Sequence, residues 1–216
     1  MDGLFKYIRS HHVKRILQGH FRIGTLYEYR KIEAHGGAVG DADEGRHRTV
    51  LDSKQSTTFS LQDGSPEAQF FQRHILREDQ RGKDVKIVME AGAKMLADTN
   101  SPDMYLFCAS PAFDATAMKA FGYDTCIRID APERFFRLLS HAIRHRGRFL
   151  GFGAVTYQSR ETDHLKPHTI HPALMKGPEY AYQGEVRALW EPSNANPEPF
   201  LVHCRKAGKL CTHIGP

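Results

Sequence analysis

One short segment near the end of the chain combines an amide, an acid and a base within five residues. Residues 180–190 read YAYQGEVRALW, and the pattern from residue 185 onward predicts a β-strand. Because alternate residues of a strand point to the same side, Gln183, Glu185 and Arg187 are expected to line one face of a cleft. The alternative is an exposed face with a Glu–Arg pair opposite an inward Val-Ala-Leu set, and the segment taken alone favours it.

A second group of chemistry-bearing residues lies in the first thirty positions, where cations are interspersed with aromatic rings. These residues are Lys6, Tyr7, Arg22, Tyr27, Tyr29 and Arg30. Cations bind phosphate and rings offer stacking surfaces, so the group suits a ligand with both phosphate and a flat ring. A pyrophosphate dinucleotide fits, and so does single-stranded nucleic acid. Alternatively, the tyrosines pack in a half-buried sheet.

The net charge gives weak support for a nucleic-acid partner. The 216 residues carry a formal charge of +5, and the excess is spread along the chain instead of lying in one basic arm. The densest basic stretch is residues 137–148. A binding module without enzymatic activity would use this stretch and the tyrosine-rich N-terminal segment to hold nucleic acid or protein. The interpretation that the sequence favours is that these cations complement the dipole at the end of a helix.

The sequence predicts no metal site, although it contains 13 histidines. His164, His168 and His171 have helical spacing, but Pro167 and Pro172 interrupt the helix that would align them. Cys204, Cys211 and His213 lack the spacing of a zinc site. A metal-dependent nuclease using Asp41, Asp43 and Glu44 is a weaker alternative, because these acids do not follow a known ligand pattern. Phosphate-loop and dinucleotide-binding glycine motifs are also absent from the sequence.

The elements that would position these residues indicate an α+β fold with mainly antiparallel or mixed sheets. Strands and helices do not alternate strictly, which argues against a doubly wound parallel sheet. Strands are predicted at 4–8, 21–26, 85–90, 104–109, 126–129, 149–157, 185–190 and 200–204, and helices at 11–18, 112–120 and 132–146. We expect one domain spanning residues 1–216. The lack of a long apolar run or secretory signal predicts a soluble cytoplasmic protein with free thiols.

The order of these segments resembles a large, uncharacterised bacterial family. That family has an opening Lys-Tyr segment, a central Cys-x-Ser, a Met-containing helix before an apolar strand, and a late Lys followed by Tyr-x-x-Glu-x-Arg. The matching residues are Lys6-Tyr7, Cys108-Ala109-Ser110, Met118 before residues 125–127, and Lys176 before Tyr182, Glu185 and Arg187.

The same order resembles the ADP-ribosyltransferase fold, in particular the toxins that modify nucleic acid. The shared features are Ile16-Leu17-Gln18-Gly19 near the start, the central Cys-x-Ser segment, and a late strand opening with Gln183-Gly184-Glu185. The first strand carries Lys6 where that fold commonly has His or Arg. The resemblance implies an enzyme that consumes NAD, with Glu185 as the catalytic carboxylate.

In that fold the carboxylate lies beneath the ribose and stabilises the positive charge that develops as nicotinamide leaves. By extension, Gln183 would orient the acceptor, Lys6, Arg22 or Arg30 would bind the pyrophosphate, and Tyr29 or Tyr182 would stack on nicotinamide, with Tyr7 nearby. The expected acceptor is nucleic acid or protein, with water as a variant. The expected setting is a bacterial toxin or phage-defence effector, with an antitoxin or defence protein as partner.

Overall fold

The computed structural model describes residues 3–31, 40–81, 83, 85–166 and 169–215. The chain divides into two compact units, each assembled from separate stretches of sequence. The larger unit contains Met1–Gly45, Ser101–Gln158 and Ala173–Pro216, and the smaller unit contains Arg46–Asn100 and Ser159–Pro172. The expectation that residues 1–216 form one domain stays a prediction.

Strands dominate the described residues. In chain order they are β1 (Leu4–Ile8), β2 (His20–Thr25), β3 (Arg46–Asp52), β4 (Thr57–Ser60), β5 (Lys86–Met89), β6 (Lys94–Asn100), β7 (Tyr105–Ala109), β8 (Thr125–Ile129), β9 (Gly147–Ala154), β10 (Thr156–Tyr157), β11 (Glu161–Asp163), β12 (Met175–Lys176), β13 (Val186–Pro192), β14 (Phe200–His203) and β15 (Cys211–Ile214).

The helices are few and short. They are α1 (Val13–Leu17), α2 (Pro66–His74), α3 (Ala115–Ala120), α4 (Pro132–Ala142) and α5 (Arg205–Gly208). The turns of 3₁₀ helix are Ser10–His12, Glu28–Arg30, Glu78–Gln80, Pro172–Leu174 and Pro178–Gln183. No helix of the described residues is long and apolar enough to cross a membrane.

The larger unit contains two antiparallel sheets. The first has the order β14-β2-β7-β13-β9, and the second has the order β1-β8-β15. Backbone hydrogen bonds in both directions between Phe5 and Ser110, each 2.8 Å, join β1 to the end of β7. A short parallel pair, β10 with β12, completes the unit. The α+β fold class with mainly antiparallel sheets is confirmed.

The core of the larger unit forms where the apolar face of α4 packs on the five-stranded sheet. Phe135 and Phe136 of α4 contact Phe107 of β7, and Phe135 also meets the ring of Phe21 edge-on. Trp190 of β13 is fully buried, and its indole N–H donates to Ser140 Oγ at 2.9 Å. Burial of these large rings supplies much of the hydrophobic stabilisation that holds β13 in place.

The smaller unit has its own core. Its sheets are β11-β3-β6, in which β3 pairs antiparallel with β6 and parallel with β11, and β4-β5. Helix α2 begins after Ser65, whose side chain accepts a hydrogen bond from Ala68 N and so caps the helix. Phe71 of this helix packs against Phe59, and both are buried.

Several predicted elements differ from the observed ones at their starts. Residues 11–18 were expected to form a helix, but Ser10–His12 is a 3₁₀ turn and α1 starts at Val13. Ser10 was expected to cap this helix, but His12 is at the N-cap of α1, and the backbone N–H and hydroxyl of Ser10 donate to the Asp124 carboxylate at 2.7 and 2.9 Å. Helix α3 begins after Asp114, which caps it, later than the predicted residue 112. His168 and Pro167, which the metal-site argument used, lie outside the described residues.

Candidate active site

A cavity of about 530 Å³ opens within the larger unit, and most of the predicted site residues line it. This volume lies in the range typical of small-molecule sites. The basic side chains of the lining are Lys6, Arg9, His12, Arg15, His20, Arg22, Lys176 and Arg187. The aromatic side chains are Phe5, Tyr7, Phe21, Tyr29, Phe107, Phe121 and Tyr123. Among the described residues, Glu185 is the acid of this lining.

A left-handed turn places Glu185 at the cavity. The 3₁₀ helix Pro178–Gln183 ends at Gly184, which has φ 47° and ψ 55°, a conformation that glycine adopts at little steric cost. Glu185 follows, and β13 begins at Val186. The backbone N–H of Glu185 donates to the Tyr157 hydroxyl at 2.7 Å, while its carbonyl accepts from Val155 N at 2.8 Å. The backbone of Glu185 is therefore fixed on both sides.

The carboxylate of Glu185 is held by two buried cations. Arg187 Nε donates to Oε1 at 2.8 Å, Arg187 Nη2 donates to Oε2 at 3.1 Å, and Lys176 Nζ lies 3.0 Å from Oε2. Burial alone would raise the pKa of Glu185, but the charges of Arg187 and Lys176 outweigh burial and hold that pKa well below its ordinary value. The group is therefore a fixed, ionised carboxylate.

A second carboxylate completes a buried quartet, which we define as Glu44, Lys176, Glu185 and Arg187. Glu44 is fully buried and accepts from both terminal nitrogens of Arg187, at 2.7 and 2.8 Å. Arg187 Nη1 also donates to the Ala173 carbonyl at 2.7 Å. Two acids thus offset two bases, and the bidentate geometry fixes the guanidinium plane.

Gln183 joins this cluster through its neutral side-chain amide. Its side-chain oxygen accepts from Lys176 Nζ at 2.5 Å, and Gln183 is itself buried. The predicted trio of Gln183, Glu185 and Arg187 is therefore brought together. The expectation that these residues share one face of a strand was wrong, because Gln183 and Glu185 precede β13 and are placed by the turn at Gly184. The alternative of an exposed Glu–Arg pair is also wrong, because Glu185 and Arg187 are 9% and 1% exposed.

Burial also sets the state of the neutral groups beside Glu185. Burial and the adjacent Glu185 charge raise the pKa of the Cys108 thiol to about 12, and the thiol hydrogen-bonds to the Glu185 carboxylate. Burial raises the pKa of Tyr157 to about 12. Burial likewise raises the pKa of Tyr29 well above its ordinary value. These groups are protonated and uncharged at neutral pH, which leaves Glu185 as the ionised group among them.

The three cations predicted to bind pyrophosphate all have contacts within the protein. Lys6 Nζ donates to the Cys108 carbonyl at 2.7 Å and lies 4.9 Å from the centre of the Phe107 ring. Arg22 forms an ion pair with Glu28. Lys6 and Arg22 line the cavity, whereas Arg30 stacks over the Tyr27 ring at 3.8 Å and donates to the Glu44 carbonyl, outside the lining. Their roles as phosphate ligands stay predictions.

The predicted aromatic residues are divided between the cavity and its surroundings. Tyr7 and Tyr29 line the cavity. The Tyr7 hydroxyl donates to the Ala112 carbonyl at 3.1 Å and accepts from Asp114 N at 2.8 Å, so Tyr7 also has a structural role. Tyr182 is 50% exposed, lies outside the lining and packs on Phe121 with ring centres 6.1 Å apart. Stacking on nicotinamide by Tyr29 or Tyr182 stays a prediction.

Sequence reasoning missed three exposed basic side chains at the cavity, which we call the mouth cations after the two arginines among them: Arg9, His12 and Arg15. Their spacing of three residues places them on one side of a helical turn, which is the signal that was available. It was overlooked because the predicted helix began at residue 11. Glu44 was considered only as a metal ligand, and Lys176 only as part of the family resemblance.

Three arginines of the basic stretch 137–148 make contacts within the protein. Arg144 donates to the His141 carbonyl at 2.9 Å, Arg148 pairs with Glu191 at 2.7 Å, and Arg146 lies 4.4 Å from the centre of the Phe200 ring. The first of these contacts is the helix-end arrangement that the sequence favoured. This geometry gives no support to a dedicated nucleic-acid surface at this stretch.

The acids of the nuclease alternative are not arranged around a metal. Glu44 is bound to Arg187, and Asp41 Oδ1 accepts from the backbone N–H of Asp43 at 3.1 Å. Within the described part of the chain, no three His, Cys, Asp or Glu side chains are grouped so as to hold a metal ion.

Comparison with protein-family models, with curated proteins and with solved structures finds no match to this chain.

Proposed function

We propose that the protein is an NAD-dependent ADP-ribosyltransferase-like enzyme and that Glu185 is its catalytic carboxylate. The observation that carries the proposal is a fixed, ionised carboxylate in a cavity whose other charged side chains are basic and whose walls are rich in aromatic rings. Cations suit the diphosphate of a dinucleotide, and rings suit its bases. A carboxylate in such surroundings suits positive charge that develops on the sugar between them.

The reaction is a substitution at C1′ of the nicotinamide ribose. The bond between C1′ and the nicotinamide nitrogen breaks, and its electron pair leaves with nicotinamide. The acceptor nucleophile then bonds to C1′ and loses its proton to solvent. The sugar passes through an oxocarbenium-like state, and Glu185 stabilises the positive charge only while that charge exists. A carboxylate that is already fixed and ionised needs no reorganisation at that moment.

The hydrogen bonds around Glu185 leave room for a ribose hydroxyl. A carboxylate has about four lone-pair positions, and Arg187 and Lys176 occupy three of them. The remaining contact is the Cys108 thiol, which is a weak donor. A 2′-hydroxyl would replace the thiol with a stronger hydrogen bond. Gln183, held by Lys176, lies in the same cluster to orient the acceptor.

The fuller proposal includes the biological setting. The acceptor is nucleic acid or protein, and the enzyme acts as a bacterial toxin or phage-defence effector with an antitoxin or defence protein as partner. This part is supported by the resemblance in the order of the sequence segments.

The test follows NAD labelled on both the nicotinamide and the adenylate. Wild-type protein is incubated with NAD and a mixture of DNA, RNA and protein, and both nicotinamide release and transfer of adenylate label are measured. We expect Glu185→Gln to lower turnover by about a hundredfold or more, because it removes the charge but keeps the shape. The matched control is Glu191→Gln, at the exposed far end of the same strand, which should leave turnover unchanged.

Two further measurements keep the test decisive. Thermal unfolding of each variant separates a lost charge from a lost fold, and Glu185→Asp retains the charge at a shifted position, so it should recover part of the activity. Equal turnover by wild type and a folded Glu185→Gln would refute the role of Glu185. No nicotinamide release by wild type with any acceptor, or with water, would refute the proposed reaction.

A further inference from the structure

Within the described residues, Arg9 and Arg15 have no acidic partner, unlike Arg22 and Arg187, which are the other arginines of the cavity lining. Arg22, Arg128, Arg148 and Arg187 form ion pairs with carboxylates. Within the described residues, no ion pair joins Arg9 or Arg15 to an acid, although both line the cavity. The two guanidinium groups therefore present positive charge that no described ion pair offsets, and the His12 imidazole lies between them in sequence.

The local structure holds these side chains on one side of a helical turn. Arg9, His12 and Arg15 are spaced three residues apart, and Ile16 of the same turn also lines the cavity. The turn is tethered because Ser10 donates twice to the Asp124 carboxylate, which lies across the fold just before β8. Lys14 lies between His12 and Arg15 in sequence, on α1, but is not part of the cavity lining. The backbone that carries these side chains is thus fixed before any ligand arrives.

The basic side chains of this turn also act on one another electrostatically. Desolvation and the nearby charges of His11, Arg15 and Arg9 lower the pKa of His12. Like charges gathered without a counter-ion destabilise a folded protein, whereas a bound anion would offset this repulsion. The guanidinium group suits phosphate in particular, since its planar donors can make two parallel hydrogen bonds to phosphate oxygens.

We propose that Arg9, His12 and Arg15 form a diphosphate-binding subsite at the mouth of the cavity. This inference rests on the proposed function in assigning the diphosphate to a dinucleotide whose nicotinamide end reaches Glu185. In this proposal the main phosphate ligands are the mouth cations and not Lys6, Arg22 and Arg30, because those three side chains already have partners within the protein. It also predicts that the enzyme prefers a dinucleotide to nicotinamide mononucleotide, which carries one phosphate.

The first experiment measures equilibrium binding of ADP, AMP and adenosine by calorimetry. We expect ADP to bind more tightly than AMP, and adenosine to bind most weakly. Arg15→Gln should raise the dissociation constant of ADP about tenfold, which is the usual effect of losing a charged hydrogen bond. Lys14→Gln removes the same charge from the adjacent position outside the cavity and should change the constant less than about twofold, since it acts only by screened long-range attraction.

The second experiment compares NAD with nicotinamide mononucleotide as substrates. Arg15→Gln should lower kcat/KM for NAD about tenfold, mainly through KM, and should narrow the difference between the two substrates. Lys14→Gln should leave both values near those of wild type. Both substitutions are at exposed positions, so the fold is expected to tolerate them.

The outcomes separate this inference from the proposed function. If wild type binds no ADP, or if Arg15→Gln and Lys14→Gln behave alike, the subsite is refuted even where Glu185-dependent cleavage of NAD is observed. If Arg15→Gln weakens ADP binding but wild type releases no nicotinamide, the subsite is confirmed and the proposed reaction fails.

Discussion

The two ends of β13 each carry a carboxylate–guanidinium pair, and the two pairs have different consequences. At the start of the strand, Arg187 binds Glu185 and Glu44 in surroundings that exclude solvent. At the far end, Glu191 pairs with Arg148, and their side chains are 54% and 74% exposed. The chemistry of the contact is the same in both places. The difference lies in solvation, which makes the first pair costly to disrupt and the second nearly dispensable.

Removing the guanidinium of Arg187 or of Arg148 should give the largest difference in the free energy of unfolding between the two ends of β13. We expect Arg187→Met to lower the free energy of unfolding by about 3–5 kcal/mol, because it leaves two buried carboxylates opposed by Lys176 alone. Arg148→Met should cost less than about 1 kcal/mol. Chemical denaturation followed by circular dichroism measures both. Arg187→Lys retains the charge but not the bidentate hydrogen bonds, so its loss of unfolding free energy should lie between the losses of the two Met variants. Equal losses for Arg187→Met and Arg148→Met would contradict the comparison.

Acid should weaken the ion pair between Glu185 and Arg187, and comparison with Glu185→Gln measures the stability that is lost. The folded-state pKa of Glu185 is lowered, so its ionised form contributes stability that is complete above the unfolded-state pKa of about 4.3 and is lost as the pH falls toward the folded value. The difference in unfolding free energy between wild type and Glu185→Gln should therefore be constant near neutral pH and shrink below about pH 4. Denaturation curves from pH 7 to pH 2.5 measure it, and a constant difference throughout would contradict the lowered pKa.

The smallest expected effect concerns the thiol beside Glu185. Because the pKa of Cys108 is raised to about 12, only about one molecule in ten thousand carries the thiolate at pH 8, so alkylation should be slow although the residue lines the cavity. Glu185→Gln removes the neighbouring negative charge and should accelerate alkylation of Cys108 several-fold. Glu191→Gln should not. Mass spectrometry after timed iodoacetamide treatment measures the rate, and unchanged alkylation in Glu185→Gln would contradict the charge coupling.

Local patterns were sufficient to predict much of the larger unit. The strand at residues 4–8 was predicted with its observed bounds, and the strands around Cys108, Ile127 and Trp190 were predicted within one or two residues. Apolar runs bounded by turn residues carry that information locally. Residues 46–74 were expected to form strands with a long connection, and they contain β3 and β4, but their polar composition gave no indication of helix α2.

The partners of the candidate site could not be predicted in the same way. Glu185 and Gln183 were identified from their spacing, but Glu44 lies 143 residues before Arg187 in sequence. It falls in the glycine-rich stretch 36–45, whose composition predicts only a loop. No local rule links two charges at that distance. Their pairing follows from the tertiary fold, which also turns an apparently exposed Glu–Arg pair into a buried one.

The charge balance of the buried quartet gives the cavity a polarity. The two acids and two bases of the quartet sum to zero, whereas Arg9 and Arg15 form no ion pair within the described residues, so we expect the electrostatic potential to be more positive at the entrance than beside the quartet. A ligand whose charges are separated will therefore enter in one orientation, with its anionic part retained at the entrance and its electron-poor ring directed inward. The fold thus selects a direction of approach before any specific contact forms, and this reduces the fraction of unproductive encounters.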